Sequence, residues 1–222
     1  MTAPPPAVSI RAIAASTHGR YLVDAPASAG PWPMLVGFHG YAENAEIQLD
    51  RLRAIPGSDR WLLVSVQALH PFYRGRANDV VVAGWMTRQD RELAIADNVA
   101  YVRAVAESAA REWATDGTVV YAGFSQGASM AYRAAAGWRA AGVVALGGDV
   151  PPELDRGALA GIPAALVGRG AADAWYADDT WRRDLARLEA AGVRARPFEF
   201  DAPHAWTGAF GAAVAAFLGD LR

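Results

Sequence analysis

Cysteine is absent from the sequence, and so is lysine. The first absence excludes a disulfide framework, a thiolate zinc site and a cysteine nucleophile, and leaves the chain indifferent to the redox state around it. The second makes all 21 basic residues arginine. With alanine so abundant, this reads as a coding bias rather than a phosphate-binding device. Arg51, Arg53, Arg182 and Arg183 stand among acidic residues, where solvated helix faces are expected. Charge of one sign is also scarce. A formal net charge of −2 gives no pull toward nucleic acid or an anionic membrane. No run approaches the roughly 18 uninterrupted apolar residues of a membrane span. The N-terminal stretch lacks a basic region followed by a long apolar one, so no secretory signal is read there and a cytoplasmic location is expected.

What is present suits one globular domain over 1–222. The chain has 222 residues, 53% hydrophobic and 20% charged. Pro4, Pro5 and Pro6 mark residues 1–7 as a flexible leader. Two β-prone runs, 8–15 and 21–23, flank Thr17-His18-Gly19-Arg20 and predict an antiparallel hairpin. Continuous apolar runs at 34–38 and 61–66 predict strands covered on both faces. Between them, 43–55 reads as a helix stopped by Pro56-Gly57. Residues 70–90 read as irregular. Residues 91–114 form the clearest helix, with a stripe of Leu93, Ala96, Val99, Val102, Ala106, Ala109 and Trp113. Strands are expected at 118–122, 143–146, 163–167 and 194–200, and helices at 126–136, 180–191 and 208–218. This alternation implies a mostly parallel sheet with helices on both faces. Ligands of such sheets bind beyond the carboxyl ends of the strands.

At one of those ends stands Gly123-Phe124-Ser125-Gln126-Gly127, between a strand and a helix. A serine in so sharp a turn is exposed above the sheet, over a helix N-terminus that favours negative charge, and its flanking glycines avoid collisions. A helix-capping serine is the plainer alternative. A hydroxyl nucleophile needs a base. Of His18, His39, His70 and His204, only His204 follows Ser125, as the order serine, acid, histidine requires. The acid should follow the penultimate strand, which selects Asp173. Its rivals are Asp149, Asp178, Asp179 and Asp201. The oxyanion of acyl transfer needs two backbone N–H donors. Gln126 supplies one, and the loop His39-Gly40-Tyr41 the other, through Tyr41. His39 then reads as a structural hydrogen-bonding residue.

Phe38-His39-Gly40, Gly123-Phe124-Ser125-Gln126-Gly127-Ala128, the Gly168 to Asp173 spacing and His204 together resemble the phospholipase/carboxylesterase family of α/β-hydrolases, which includes the acyl-protein thioesterases. The resemblance spans nearly the whole chain, and the length fits members of that family without a large lid domain. It implies hydrolysis of carboxylic esters or thioesters without a cofactor or metal. It assigns Ser125 as nucleophile, Asp173 as acid, His204 as base, and Tyr41 and Gln126 as oxyanion amides. The sequence departs from the family at Ala42, where a glycine is usual, and in the stretch before residue 91. Phe72, Tyr73, Trp85, Met86, Trp175, Tyr176 and Trp206 fall near the same edge and are expected to wall a substrate pocket for an apolar group. Arg74 and Arg76 could meet an acidic group, since arginine pairs well with carboxylates, but surface solvation is the favoured reading. The partner expected is a small ester or thioester, not nucleic acid or membrane, and homo-oligomerisation is left open. Peptidase or amidase chemistry on the same residues, or a non-catalytic ligand-binding role, are the alternatives.

Overall fold

The computed structural model describes residues 8–75 and 80–221; the expected leader at 1–7 and Arg76 lie outside them. The chain runs β1 (Tyr21–Asp24), β2 (Trp32–Phe38), α1 (Ala45–Arg53), β3 (Leu62–Val66), β4 (His70–Tyr73), β5 (Val81–Gly84), α2 (Arg91–Glu112), β6 (Thr115–Phe124), α3 (Gln126–Gly137), β7 (Gly142–Leu146), α4 (Arg156–Leu159), β8 (Ala164–Gly170), α5 (Asp178–Ala190), β9 (Arg194–Phe200) and α6 (Gly208–Gly219). Seven strands form one sheet in the order β1-β3-β2-β6-β7-β8-β9. All neighbours pair in parallel except β1, which runs antiparallel to β3.

The strands β2, β3, β7 and β8 are buried on both faces, as their continuous apolar runs require. In β2, Met34, Val36 and Phe38 face one layer, with α2, α3 and α5, while Leu35 faces the other, with α1 and α6. On that second face Phe210 and Val214 of α6 meet Leu146 and Leu166. Burying each such side chain contributes about 1.5–3 kcal/mol.

From β2 the chain steps outward to β3, which pairs with the earlier edge strand β1, then returns to the other side of β2 at β6. Strand order therefore reverses between β2 and β6. The loops that leave these two strands meet at the carboxyl edge, where Gly127 at the start of α3 packs on the backbone oxygens of Phe38 and His39.

Three expectations change. The antiparallel element is a single strand rather than a hairpin. Residues 8–20 form no strand, and Val8, Ile10 and Ile13 are exposed. Tyr21–Asp24 instead finds its partner in Leu62–Val66, where both strands gain a layer of side chains. Residues 70–90 are not wholly irregular: β4 and β5 form a small antiparallel pair. The buried stripe of α2 is also rotated. It runs through Ala94, Asn98, Val102, Val105, Ala106 and Ala109, while Leu93 and Ala96 are exposed. Asn98 draws the helix round. Its amide donates to Trp85 O (3.0 Å) and Ala94 O (2.8 Å) and accepts from Leu69 N (3.2 Å), so a polar residue sits inside with its hydrogen bonds met. Among the described residues no helix is long and apolar enough to cross a membrane.

Candidate active site

Ser125 joins β6 to α3 with φ 54° and ψ −122°, a left-handed conformation that a residue with a Cβ adopts only under constraint. Its amide donates to Leu146 O of β7 at 2.8 Å, which locks the turn to the sheet. The flanking glycines are required by contact. A Cβ on Gly123 would lie 2.1 Å from Gly127 O, and one on Gly127 would lie 2.2 Å from Phe38 O. The first collision is with the helix that follows, the second with the strand beside it.

His204 and Asp173 lie in the loops after β9 and β8. Those loops are tied together before either side chain is considered. Ala171 N donates to Phe200 O (2.8 Å) and Ala172 N to Ala202 O (3.0 Å). Gly170 packs so closely that a Cβ there would sit 2.2 Å from Ala202 O. Asp173 Oδ2 then meets His204 Nδ1 at 2.7 Å. The other carboxylate oxygen accepts the amides of Trp175 (2.8 Å) and Tyr176 (2.9 Å), so a side chain nearly closed to solvent has every direction fixed. A carboxylate at Nδ1 holds the proton on that nitrogen and leaves the Nε2 lone pair available. The imidazole lies against the ring of Phe124, the residue before Ser125, with centroids 4.8 Å apart. It also abuts Gly147, where a Cβ would come 2.9 Å from Cε1. The rival acids are engaged elsewhere or stand apart. Asp149 lies beside Ser129, whose hydroxyl is 2.9 Å from its backbone oxygen and 3.3 Å from Oδ1, Asp178 pairs with Arg169 and Arg182, and Asp201 is exposed.

The loop after β2 is held by a network that the sequence did not announce. Glu43 Oε2 accepts Gly40 N at 2.8 Å, and both its oxygens meet Arg51, at 2.5 and 2.7 Å. Arg51 lies 4.5 Å over the Phe124 ring. Arg51 is thus largely buried rather than solvated, and α1 begins at Ala45, two residues later than expected, with Asn44 as its cap. The only signal was the eight-residue spacing from Glu43 to Arg51. Tyr41 lies between Gly40 and Ala42, whose amide donates to Ala83 O (3.1 Å). Ala42 has φ 58°, a value glycine would accept freely, which is the physical content of the departure at this position. Gln126 opens α3, so its N–H belongs to the first turn that has no acceptor inside the helix. Its side chain accepts Trp85 N (2.7 Å) and donates to Met86 O (3.0 Å), pinning the segment before α2.

His39 is structural. It is fully buried, its Nδ1 lies 2.6 Å from Gly40 O, and its Nε2 accepts Ala68 N at 3.1 Å. Burial pushes its pKa below 6.5 and favours the neutral ring.

A cavity of about 500 Å³ opens beside Ser125. Met86, Trp175 and Tyr176 line it, as expected. Four other aromatics do not. Trp85 is fully buried, edge-on to Phe38, with its Nε1–H on His39 O (2.8 Å). Phe72 and Tyr73 are exposed on β4, where Phe72 faces the Tyr41 ring. Trp206 packs on Phe210 and borders a separate cleft between α1 and α6. Arg74 follows β4 in an exposed bend, away from the cavity. The charged residues that do reach the cavity are Arg91, Arg133, Arg183 and Asp149. Arg133 had a legible signal: it is the one charged residue of α3, eight positions after Ser125 and on the same helix face as Ser129.

No family model and no curated protein sequence matches the chain. Solved structures do. The carboxylesterase of Bacillus cereus superposes with a TM-score of 0.73 at 15% identity, over 92% of this chain and 95% of that one. The esterase PE8 gives 0.70 at 22% identity, over 92% and 98%. A phospholipase/carboxylesterase from Dyadobacter fermentans gives 0.67 at 17% identity, over 90% and 95%. The chain has the α/β-hydrolase fold that these proteins share.

Proposed function

We propose that this protein is a serine hydrolase that cleaves carboxylic esters or thioesters through an acyl-enzyme formed on Ser125. The observation that carries this reading is the 2.7 Å contact of Asp173 with His204 Nδ1, set beside a serine held at φ 54°. A strained serine alone is a turn, and a paired histidine alone is a loop. Together at one sheet edge they form a nucleophile and its base.

The Ser125 hydroxyl oxygen attacks the carbonyl carbon while His204 Nε2 takes its proton. The carbonyl oxygen becomes an oxyanion between the amides of Tyr41 and Gln126, each such donor contributing about 3 kcal/mol. The carbon–oxygen or carbon–sulfur bond breaks as the imidazolium protonates the departing alkoxide or thiolate. Water, deprotonated by the same imidazole, then attacks the acyl-serine. The carboxylic acid leaves and the serine hydroxyl is restored. Asp173 keeps its contact with Nδ1 and stabilises the imidazolium.

The test is turnover of p-nitrophenyl esters of increasing chain length, with a thioester alongside. Ser125→Ala should lower kcat by at least about 1,000-fold with the thermal transition unchanged. Full ester hydrolysis by the folded variant would reject the assignment.

A further inference from the structure

The cavity beside Ser125 was expected to be an aromatic slot and is instead rich in arginine. Arg133 is the most informative of the three. Its side chain is only 3% exposed. Its Nε and Nη2 both meet Glu153 Oε1, at 2.7 and 2.6 Å. The remaining nitrogen, Nη1, has two methionine sulfurs, Met86 Sδ and Met130 Sδ, each at 3.9 Å. Thioethers are weak acceptors, so a buried cation keeps one nitrogen poorly satisfied on the wall of a cavity.

The mouth repeats the sign. The nearest carboxylate to Arg91 is Glu153 Oε2 at 3.8 Å, and Arg183 Nη2 lies 3.7 Å from Asp184 Oδ1. Neither is a hydrogen bond. Burial pushes the Asp184 carboxyl above its usual range, which weakens it as a counter-charge. Asp149 is the one acid among the described lining residues; the Ser129 hydroxyl lies 2.9 Å from its backbone oxygen and 3.3 Å from its carboxylate. Three guanidinium groups therefore face a space that holds one carboxylate.

Orientation follows from the chemistry. His204 must sit beside the leaving group that it protonates; its ring borders the cavity through Gly147, whereas Ser125 and Gln126 line it directly. The cavity thus receives the acyl side.

We infer that the acyl group of the substrate carries a distal carboxylate: the protein acts on half-esters or half-thioesters of dicarboxylic acids, with Arg133 meeting the far carboxylate and Arg91 and Arg183 drawing it in. Met86 and Tyr176 pack on the methylene chain between. This inference rests on the hydrolase reading above.

The experiment compares kcat/KM for mono-p-nitrophenyl adipate with p-nitrophenyl hexanoate, which has the same number of carbons and no charge. The wild-type ratio should be at least about tenfold in favour of adipate, since a charge-assisted contact to a buried arginine contributes roughly that factor. Arg133→Met should bring the ratio to unity or below. Because that change strands Glu153, the double variant Arg91→Gln, Arg183→Gln gives an independent reading, and there the ratio should fall at least about threefold. Hydrolysis of both esters with hexanoate equal or preferred, or a ratio unmoved in the double variant, overturns the inference and leaves the hydrolase reading standing. Hydrolysis of neither ester overturns both.

Discussion

Glu43 accepts the Gly40 amide with the oxygen that also meets Arg51, so the loop carrying Tyr41 is tied to α1 through a single carboxylate. Burial alone would raise its pKa. The hydrogen bond and charge of Arg51 and the Gly40 amide outweigh that and hold it below 4.5. A carboxylate so depressed contributes stability in full above its unfolded value and loses it as pH falls through the lower folded one. Glu43→Gln should cost about 2 kcal/mol at pH 7, between the effects of a surface and a fully buried pair. The gap to wild type should narrow in acid well below 4.5, where Glu43 takes up a proton. Urea unfolding of both proteins at the two pH values checks this, and an unchanged gap counts against it. The variant should also turn over more slowly, because the Tyr41 amide loses its anchor. The kcat should fall more than KM rises.

Among elements, the junction of β6 and α3 leaves no room for an added side chain. A Cβ on Gly127 would come 2.2 Å from Phe38 O and 2.5 Å from His39 O, both backbone atoms of a buried strand and its exit. Gly127→Ala should therefore cost about 3 kcal/mol or more. Gly137→Ala, at the other end of α3, would find only Val99 Cγ1 at 3.8 Å and should stay within about 1 kcal/mol of wild type. Thermal unfolding of the pair separates a contact effect from a general intolerance of the helix; equal losses would contradict it. This junction was also the most legible part of the chain, because strand, serine turn and helix are all encoded within a few residues. The expected hairpin failed for the converse reason. The partner of Tyr21–Asp24 lies some forty residues downstream, and nothing in 8–15 says so. The face of α2 was misplaced because a periodicity of apolar residues does not register a buried asparagine with its bonds met.

At the scale of the molecule, strand order decides what the site contains. Reversal between β2 and β6 places the Tyr41 loop against the start of α3, and the joined loops after β8 and β9 carry Asp173 to His204. The choice of Asp173 over Asp149, Asp178 or Asp201 could be stated from chain order, but the 2.7 Å contact depends on Gly170 lying against Ala202, a tertiary fact. The lining of the cavity was legible only in part, for a related reason. Met86, Trp175 and Tyr176 line it, but Arg91, Arg133 and Arg183 come from three helices, whereas Trp85, Phe72, Tyr73 and Trp206 turned into core, hairpin and a neighbouring cleft. The most direct test is mass mapping after reaction with a fluorophosphonate, in wild type and in His204→Ala. A single adduct on Ser125 that forms rapidly in the wild type and at least about a hundredfold more slowly without the imidazole is the expected result. Folded protein that stays unlabelled at Ser125, or that labels at the same rate in both, would show that no activated serine exists.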